Sequence, residues 1–146
     1  MPAKVAFWDT SAIIALFCNQ AASHKSRLIR SSFSEFVFWW GTHVEVHSGI
    51  NRLLNEGAIR KSQSLAAISK WDQVYATSLV VKPTEAVLDI AVSLASKMNI
   101  RALDAFQLAA ALAWCNGRPR NRPFVCADKR LSVAAKDAGF DVIEVS

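Results

Sequence analysis

The chain is poor in the residues that staple or punctuate small extracellular domains: its 146 residues include 3 cysteines, 4 prolines, 5 glycines and 1 tyrosine. Cys18, Cys115 and Cys126 are odd in number, and no two stand as C-x-x-C. That argues against a disulfide framework and a thiolate metal knuckle. Each cysteine lies in an apolar stretch, as a buried thiol in a reducing compartment does. Long apolar runs are missing too. The most hydrophobic stretch, residues 102–115, is too short to span a bilayer and carries Asp104 and Gln107. No apolar signal core precedes the first strand-type run, so no membrane role and a cytoplasmic location are the default expectations. With no repeat and no low-complexity linker, the whole of residues 1–146 reads as one domain.

What is present points to a packed globular chain: 52% of residues are hydrophobic and 20% are charged. Lys and Arg number 17 against 12 Asp and Glu, a formal charge of +5. A surface of that sign attracts polyanions, of which RNA and DNA are the common ones, although any solvated face can carry such an excess.

Short continuous apolar runs alternate with longer amphipathic ones. Residues 5–8 form a strand-type run ending at Asp9, and residues 12–18 read as a short helix. Residues 23–34 read as a helix basic on one side, and 35–40 as an aromatic-rich strand closed by Gly41. A helical pattern runs from Val44 to Gly57, another over 59–76, and a short strand follows at 79–81. Pro83 is expected in the first turn of a helix reaching Lys97. A second apolar helix, 102–115, closes at Asn116-Gly117. Beyond a loop bearing Arg118, Arg120 and Arg122 come a strand at 124–127, a helix at 129–138 and a last strand at 142–145. This interleaving predicts an α/β, three-layer fold with a short, mainly parallel sheet of about four to five strands and helices on both faces. Sites in such sheets form beyond the carboxyl ends of strands. Asp9 and Asp128 both fall there.

Four acids therefore stand out. Asp9, Glu45, Asp104 and Asp128 each fall at or near the start of a helix, where an acid is also explained by capping or by the helix dipole. Capping does not explain why two of them share a strand-end rim, nor why Asp104 stands among Leu103, Ala105 and Phe106. If the four converge, each pair about 4 Å apart repels by roughly 4 kcal/mol at a surface-like dielectric. A hard divalent cation relieves that repulsion, and oxygen-only ligands select Mg²⁺ or Mn²⁺ over Zn²⁺. Carboxylate-held metal with open positions suits phosphodiester hydrolysis. With four of the 12 acids so engaged, eight oppose 17 bases, which favours a phosphate-rich substrate such as RNA.

Four ordered pieces carry a family resemblance: Val5-Ala-Phe-Trp-Asp9-Thr-Ser-Ala-Ile, Thr42-His-Val-Glu45-Val, Leu103-Asp104-Ala-Phe-Gln-Leu-Ala and Phe124-Val-Cys-Ala-Asp128-Lys-Arg-Leu. In this order and at these separations the chain resembles the PIN domain, and closely the VapC-type toxin ribonucleases of bacterial and archaeal toxin–antitoxin pairs. The pieces bracket nearly the whole chain. The resemblance implies a PIN-like fold and a Mg²⁺- or Mn²⁺-dependent endoribonuclease acting as the toxin of a type II system. It also implies a homodimer and a protein antitoxin that blocks the site. It carries Asp9, Glu45, Asp104 and Asp128 over as the catalytic, metal-binding acids, and Thr10 or Ser11 as a supporting hydroxyl beside the first. The chain departs from the pattern at Cys126, where relatives often have Thr or Ser, so Asp128 is expected to be held less firmly than the other three. His43 likewise replaces a small or apolar residue.

His43, Glu45 and His47 alternate, which would suit a zinc site on a strand; on a helix Glu45 points away from the histidines, and the spacing is not H-E-x-x-H. Arg118, Arg120 and Arg122 lie in a proline-punctuated loop that presents guanidinium groups to solvent, as RNA-phosphate contacts or simply as a solubilising loop. Lys129 and Arg130, next to Asp128, are better placed to touch substrate. Trp8, Trp39 and Trp40 suit base stacking or, more ordinarily, a strand core. Apolar positions around 88–94 and 108–114 exceed what one small core needs and suggest the homodimer surface. Two other functions fit parts of the pattern: a non-catalytic RNA-binding or regulatory module, and a metal-dependent phosphatase. The phosphatase usually needs a second Asp two residues after its nucleophile, where this chain has Ser11.

Overall fold

Strands that are apolar at every position need cover on both faces, and the computed structural model of the chain, described over residues 4–18 and 23–145, supplies it. Strands β1 (Val5–Trp8), β2 (Glu35–Trp39), β3 (Leu79–Val81), β4 (Pro123–Cys126) and β5 (Asp141–Glu144) form one sheet in the order β3-β2-β1-β4-β5. All four pairings are parallel, with Val5 opposite Glu35, Phe7 opposite Phe124 and Phe124 opposite Val142. The expected α/β sheet is thus present, fully parallel and five-stranded.

Alternation along each strand divides the core in two. Ala6, Trp8, Phe36, Phe38 and Val125 face one side, where they meet α1 (Thr10–Phe17), α3 (Thr42–Asn55) and α4 (Lys61–Thr77), with α2 (Ser23–Ser31) alongside. Phe7, Val37, Trp39, Phe124 and Cys126 face the other, under α5 (Glu85–Lys97), α6 (Ala102–Trp114) and α7 (Lys129–Ala138). Trp8, Trp71, Phe7 and Phe38 are fully buried, each worth about 1.5–3 kcal/mol relative to exposure. Gly49 lets α3 approach α1 closely: a Cβ there would lie 2.9 Å from Ile14 Cδ1.

The chain builds β1, β2 and β3 outward in one direction and returns to place β4 and β5 on the other side of β1. The crevice beyond the carboxyl ends of β1 and β4 is therefore the topological switch point, where open parallel sheets bind ligands. Asp9 N–H donates to the Val125 carbonyl at 3.1 Å across it.

Some boundaries differ from the sequence expectation. Helix α5 starts at Glu85, because the Thr84 hydroxyl accepts the Val87 N–H at 3.2 Å and caps it; Pro83 lies outside the first turn. Helix α3 starts at Thr42, two residues before the apolar pattern shows it. Of the expected apolar positions 108–114, Leu108, Ala109, Ala110 and Ala111 are fully buried in this chain's own core, while Leu112, Ala113 and Trp114 are half-buried. Leu88 and Val92 of α5 do remain exposed, at 43% and 58%. Trp8 and Trp39 are core residues, whereas Trp40 is half exposed. All three cysteines are buried and free.

Candidate active site

Four elements converge at the switch point. The carboxylates of Asp9, Glu45, Asp104 and Asp128 line a single open pocket of about 760 Å³. Asp9 follows β1 and caps α1, accepting the Ser11 and Ala12 N–H groups. The Ser11 hydroxyl donates to both Asp9 oxygens (2.9 and 2.8 Å) and accepts the Ala127 N–H (2.9 Å), tying the end of β1 to the end of β4. Asp128 caps α7 by accepting the Leu131 N–H at 3.0 Å. Capping and convergence are thus both true of these two acids: Asp9 caps with both oxygens, while Asp128 caps with one and presents the other. Glu45 and Asp104 reach the pocket from the first turns of α3 and α6.

Cys126 does not leave Asp128 loose. Its buried sulfur accepts the Asp128 N–H (3.4 Å) and donates to the Asp128 carbonyl (3.2 Å), so a thiol grips the backbone of the last acid.

The electrostatics of the cluster are unfavourable as it stands. Burial raises the Asp9 pKa to about 6, against the opposing effect of its Ser11, Ala12 and Cys126 hydrogen bonds. Burial also raises Glu45 to about 7; hydrogen bonds from Gln107 and Thr10 oppose the rise, and the charges of Asp9 and Asp104 add to it. Asp104 is raised by burial and by Asp128, with Arg101 and Arg130 pulling it back. Among the described residues the ion pairs are His47–Asp72 and Lys136–Glu144, so no cation pairs directly with any of the four acids. An oxygen-only, uncompensated set of this kind fits a hard divalent cation.

Gln107 and Thr42 belong to the site and were not singled out from the sequence. Gln107 is 2% exposed, and its amide nitrogen lies 2.9 Å from the Thr10 hydroxyl, 2.9 Å from the Thr42 hydroxyl and 3.2 Å from Glu45 Oε2. Its Oε1 is buried without a hydrogen-bond partner. The available signal was Gln107 itself: a buried amide in a helix of Ala and Leu must find polar partners. Gln107→Leu is expected to cost about 1–3 kcal/mol in urea denaturation, by removing the donor that these groups share.

The histidines lie apart. His43 and His47, one turn apart on α3, turn toward α4, while Glu45 turns into the acid pocket. One ligand-type atom from each of His43, His47 and Asp72 lies within 4.8 Å of the other two. However, His43 Nδ1 accepts the Trp71 indole N–H at 3.0 Å and its ring stacks on Tyr75, so these contacts pack α3 on α4. His47→Ala is expected to leave RNA cleavage in Mg²⁺ unchanged, where a zinc enzyme built on that histidine would lose it.

The expected basic residues divide sharply. Arg130 lines a depression that adjoins Asp104 and Asp128, and Lys129 one beyond it. Arg118, Arg120 and Arg122 precede β4 and so stand at the amino-terminal edge of the sheet, away from the acids. The Arg122 guanidinium lies 5.4 Å from the centre of the Trp114 ring, and its carbonyl accepts the Asp141 N–H. The structure does not bring these three arginines to the site.

Comparison with known proteins agrees with this geometry. Residues 6–137 match the family model of the PIN domain. No curated protein sequence matches the chain. Among solved structures it is similar to a toxin–antitoxin complex from Klebsiella pneumoniae at 15% identity, covering 97% of this chain and 98% of that one, with a TM-score of 0.66. It is similar to FitAcB from Neisseria gonorrhoeae at 17% identity, covering 94% and 96%, with a TM-score of 0.65. It is also similar to VapBC2 from Rickettsia felis, a structure bound to a DNA fragment from its promoter, at 9% identity, covering 96% and 99%, with a TM-score of 0.64. At these identities the structural likeness is one of fold, and it is the family model, spanning nearly the whole chain, that settles membership: the chain belongs to the PIN domain family.

Proposed function

We propose that this protein is a Mg²⁺- or Mn²⁺-dependent endoribonuclease, the VapC-type toxin of a type II toxin–antitoxin pair. The observation that carries the reading is the gathering of Asp9, Glu45, Asp104 and Asp128 from four elements into one pocket with no paired cation among the described residues. Those four residues would hold the ion, which when bound supplies Lewis acidity toward a phosphodiester. Ser11 fixes the Asp9 carboxylate, and Thr10 with Gln107 fixes Glu45. Arg130 and Lys129 lie where they would neutralise substrate phosphates. The Klebsiella pneumoniae neighbour is a toxin–antitoxin complex, which supports a protein antitoxin as the partner that blocks this site. The exposed Leu88 and Val92 of α5 support a homodimer surface.

The test is incubation of the purified protein with RNA in Mg²⁺, Mn²⁺ or EDTA. Endonucleolytic fragments that require the metal support the reading. Intact RNA in every condition overturns it in favour of a binding module, and turnover of a chromogenic phosphomonoester without RNA cleavage overturns it in favour of a phosphatase.

A further inference from the structure

On the side away from α3, the acid pocket adjoins two depressions lined by four cations. Toward α3 its wall carries Arg52 together with Glu56, whose charges offset each other. On the other side, Arg101 and Arg130 share a depression of about 550 Å³ with Glu45, Asp104 and Asp128. A second depression of about 560 Å³ runs on from Arg130 to Lys97 and Lys129, with Asp137 as its acid. Arg130 borders both, so the two form one trough between the α5–α6 connection and the start of α7.

Arg101 and Arg130 offset part of the charge of Asp104, whereas Lys97 and Lys129 face none of the four acids among the described interactions. Arg101 occupies the N-cap position of α6 and makes no side-chain capping bond. Lys129 and Arg130 open α7 directly after its N-cap acid, Asp128. Positive charge at a helix amino terminus opposes the macrodipole, which favours anions there. None of Arg101, Arg130, Lys97 or Lys129 makes an ion pair among the described residues. Cations that make no ion pair, along depressions that lead from four carboxylates, suit the phosphates of an anionic chain.

We propose that the substrate strand leaves the acids through this trough, with Arg101 and Arg130 against the phosphates next to the cleaved bond and Lys97 and Lys129 against those that follow. The inference rests on the ribonuclease reading of the acid pocket. It makes Arg101 and Lys97 substrate-positioning residues and leaves the Arg118–Arg122 loop outside the path.

The experiment measures binding of a labelled RNA oligonucleotide by fluorescence anisotropy, with Ca²⁺ replacing Mg²⁺, across a salt series. Steady-state cleavage in Mg²⁺ is measured beside it. Lys97→Ala with Lys129→Ala, and Arg101→Ala alone, are compared with the triple Arg118→Ala, Arg120→Ala and Arg122→Ala, which removes more charge than either. Each trough cation removed is expected to reduce the slope of log K against log salt by about 0.7, as for single strands. The lysine pair is expected to raise KM with kcat unchanged, since it removes binding made equally in ground and transition states. The loop triple is expected to move neither quantity. A slope reduced by the loop triple and not by the trough variants overturns the trough while leaving the ribonuclease reading intact. Trough-dependent binding by a wild-type protein that cuts no RNA overturns the ribonuclease reading instead.

Discussion

Asp104→Asn is expected to lower the rate of RNA cleavage about 10³-fold or more while leaving the metal-free protein at least as stable as before. A carboxylate that helps to hold a catalytic divalent ion supports several kcal/mol of transition-state stabilisation, and each 1.36 kcal/mol is tenfold in rate. The loss is expected in kcat rather than KM, because the carboxylate acts at the reacting phosphate and not along the flanking strand. Stability moves the other way. Asp104 sits in the first turn of α6 with its pKa raised by burial and by Asp128, so its ionised form is disfavoured in the folded state. The neutral amide removes that repulsion. Steady-state rates with thermal melting in EDTA check both halves. An Asn variant that cleaves at the wild-type rate would remove Asp104 from the mechanism.

The second large effect is a reversed pH dependence of stability in the absence of metal. Carboxylates usually have depressed pKa values in folded proteins and stabilise as pH rises. Here Asp9 moves from 3.8 up to about 6 and Glu45 from 4.5 up to about 7. Between the lower and upper values the folded state binds more protons than the unfolded state, so stability falls as pH rises through that window, from about pH 4 to about pH 7. For the buried Asp9 alone the difference corresponds to about 3 kcal/mol, and Glu45 adds in the same direction. In EDTA the Tm is expected to drop by on the order of 10 °C between about pH 5 and pH 8. Mn²⁺ is expected to restore it, and to do so far more at the higher pH, since ions bind carboxylates in competition with protons. Glu45→Gln should flatten the metal-free profile. A Tm in EDTA that rises over this range would show that burial does not disfavour the ionised forms of Asp9 and Glu45.

Much of this was legible one residue at a time. The runs ending at Trp8 and Cys126 are apolar at every position because both sides of a central parallel strand are covered, and that pattern survives in sequence. Asp9 and Asp128 were visible because each follows such a run, and a strand end is a local feature. Asp104 was visible because a charge in an apolar helix stands out. Gln107 was passed over, since an amide i+3 from an acid has many innocuous explanations until Thr10, Thr42 and Glu45 are found around it.

Charge was where local reading failed. Arg118, Arg120 and Arg122 form the densest basic segment after residue 100, and they stand at the far edge of the sheet. Arg101 and Lys97, inconspicuous in sequence, stand beside the acids with Arg130. Local patterns depend on neighbours a few positions away, so the elements and the parallel sheet can be read from sequence, and the four acids picked out as candidates. Which charges share a rim depends on how segments 116 residues apart are laid side by side, as Ser11 and Ala127 are. Only the tertiary structure decided that, through the strand order that places β1 against β4. It turned four separate helix-start acids into one cluster with Arg101 and Arg130 beside it.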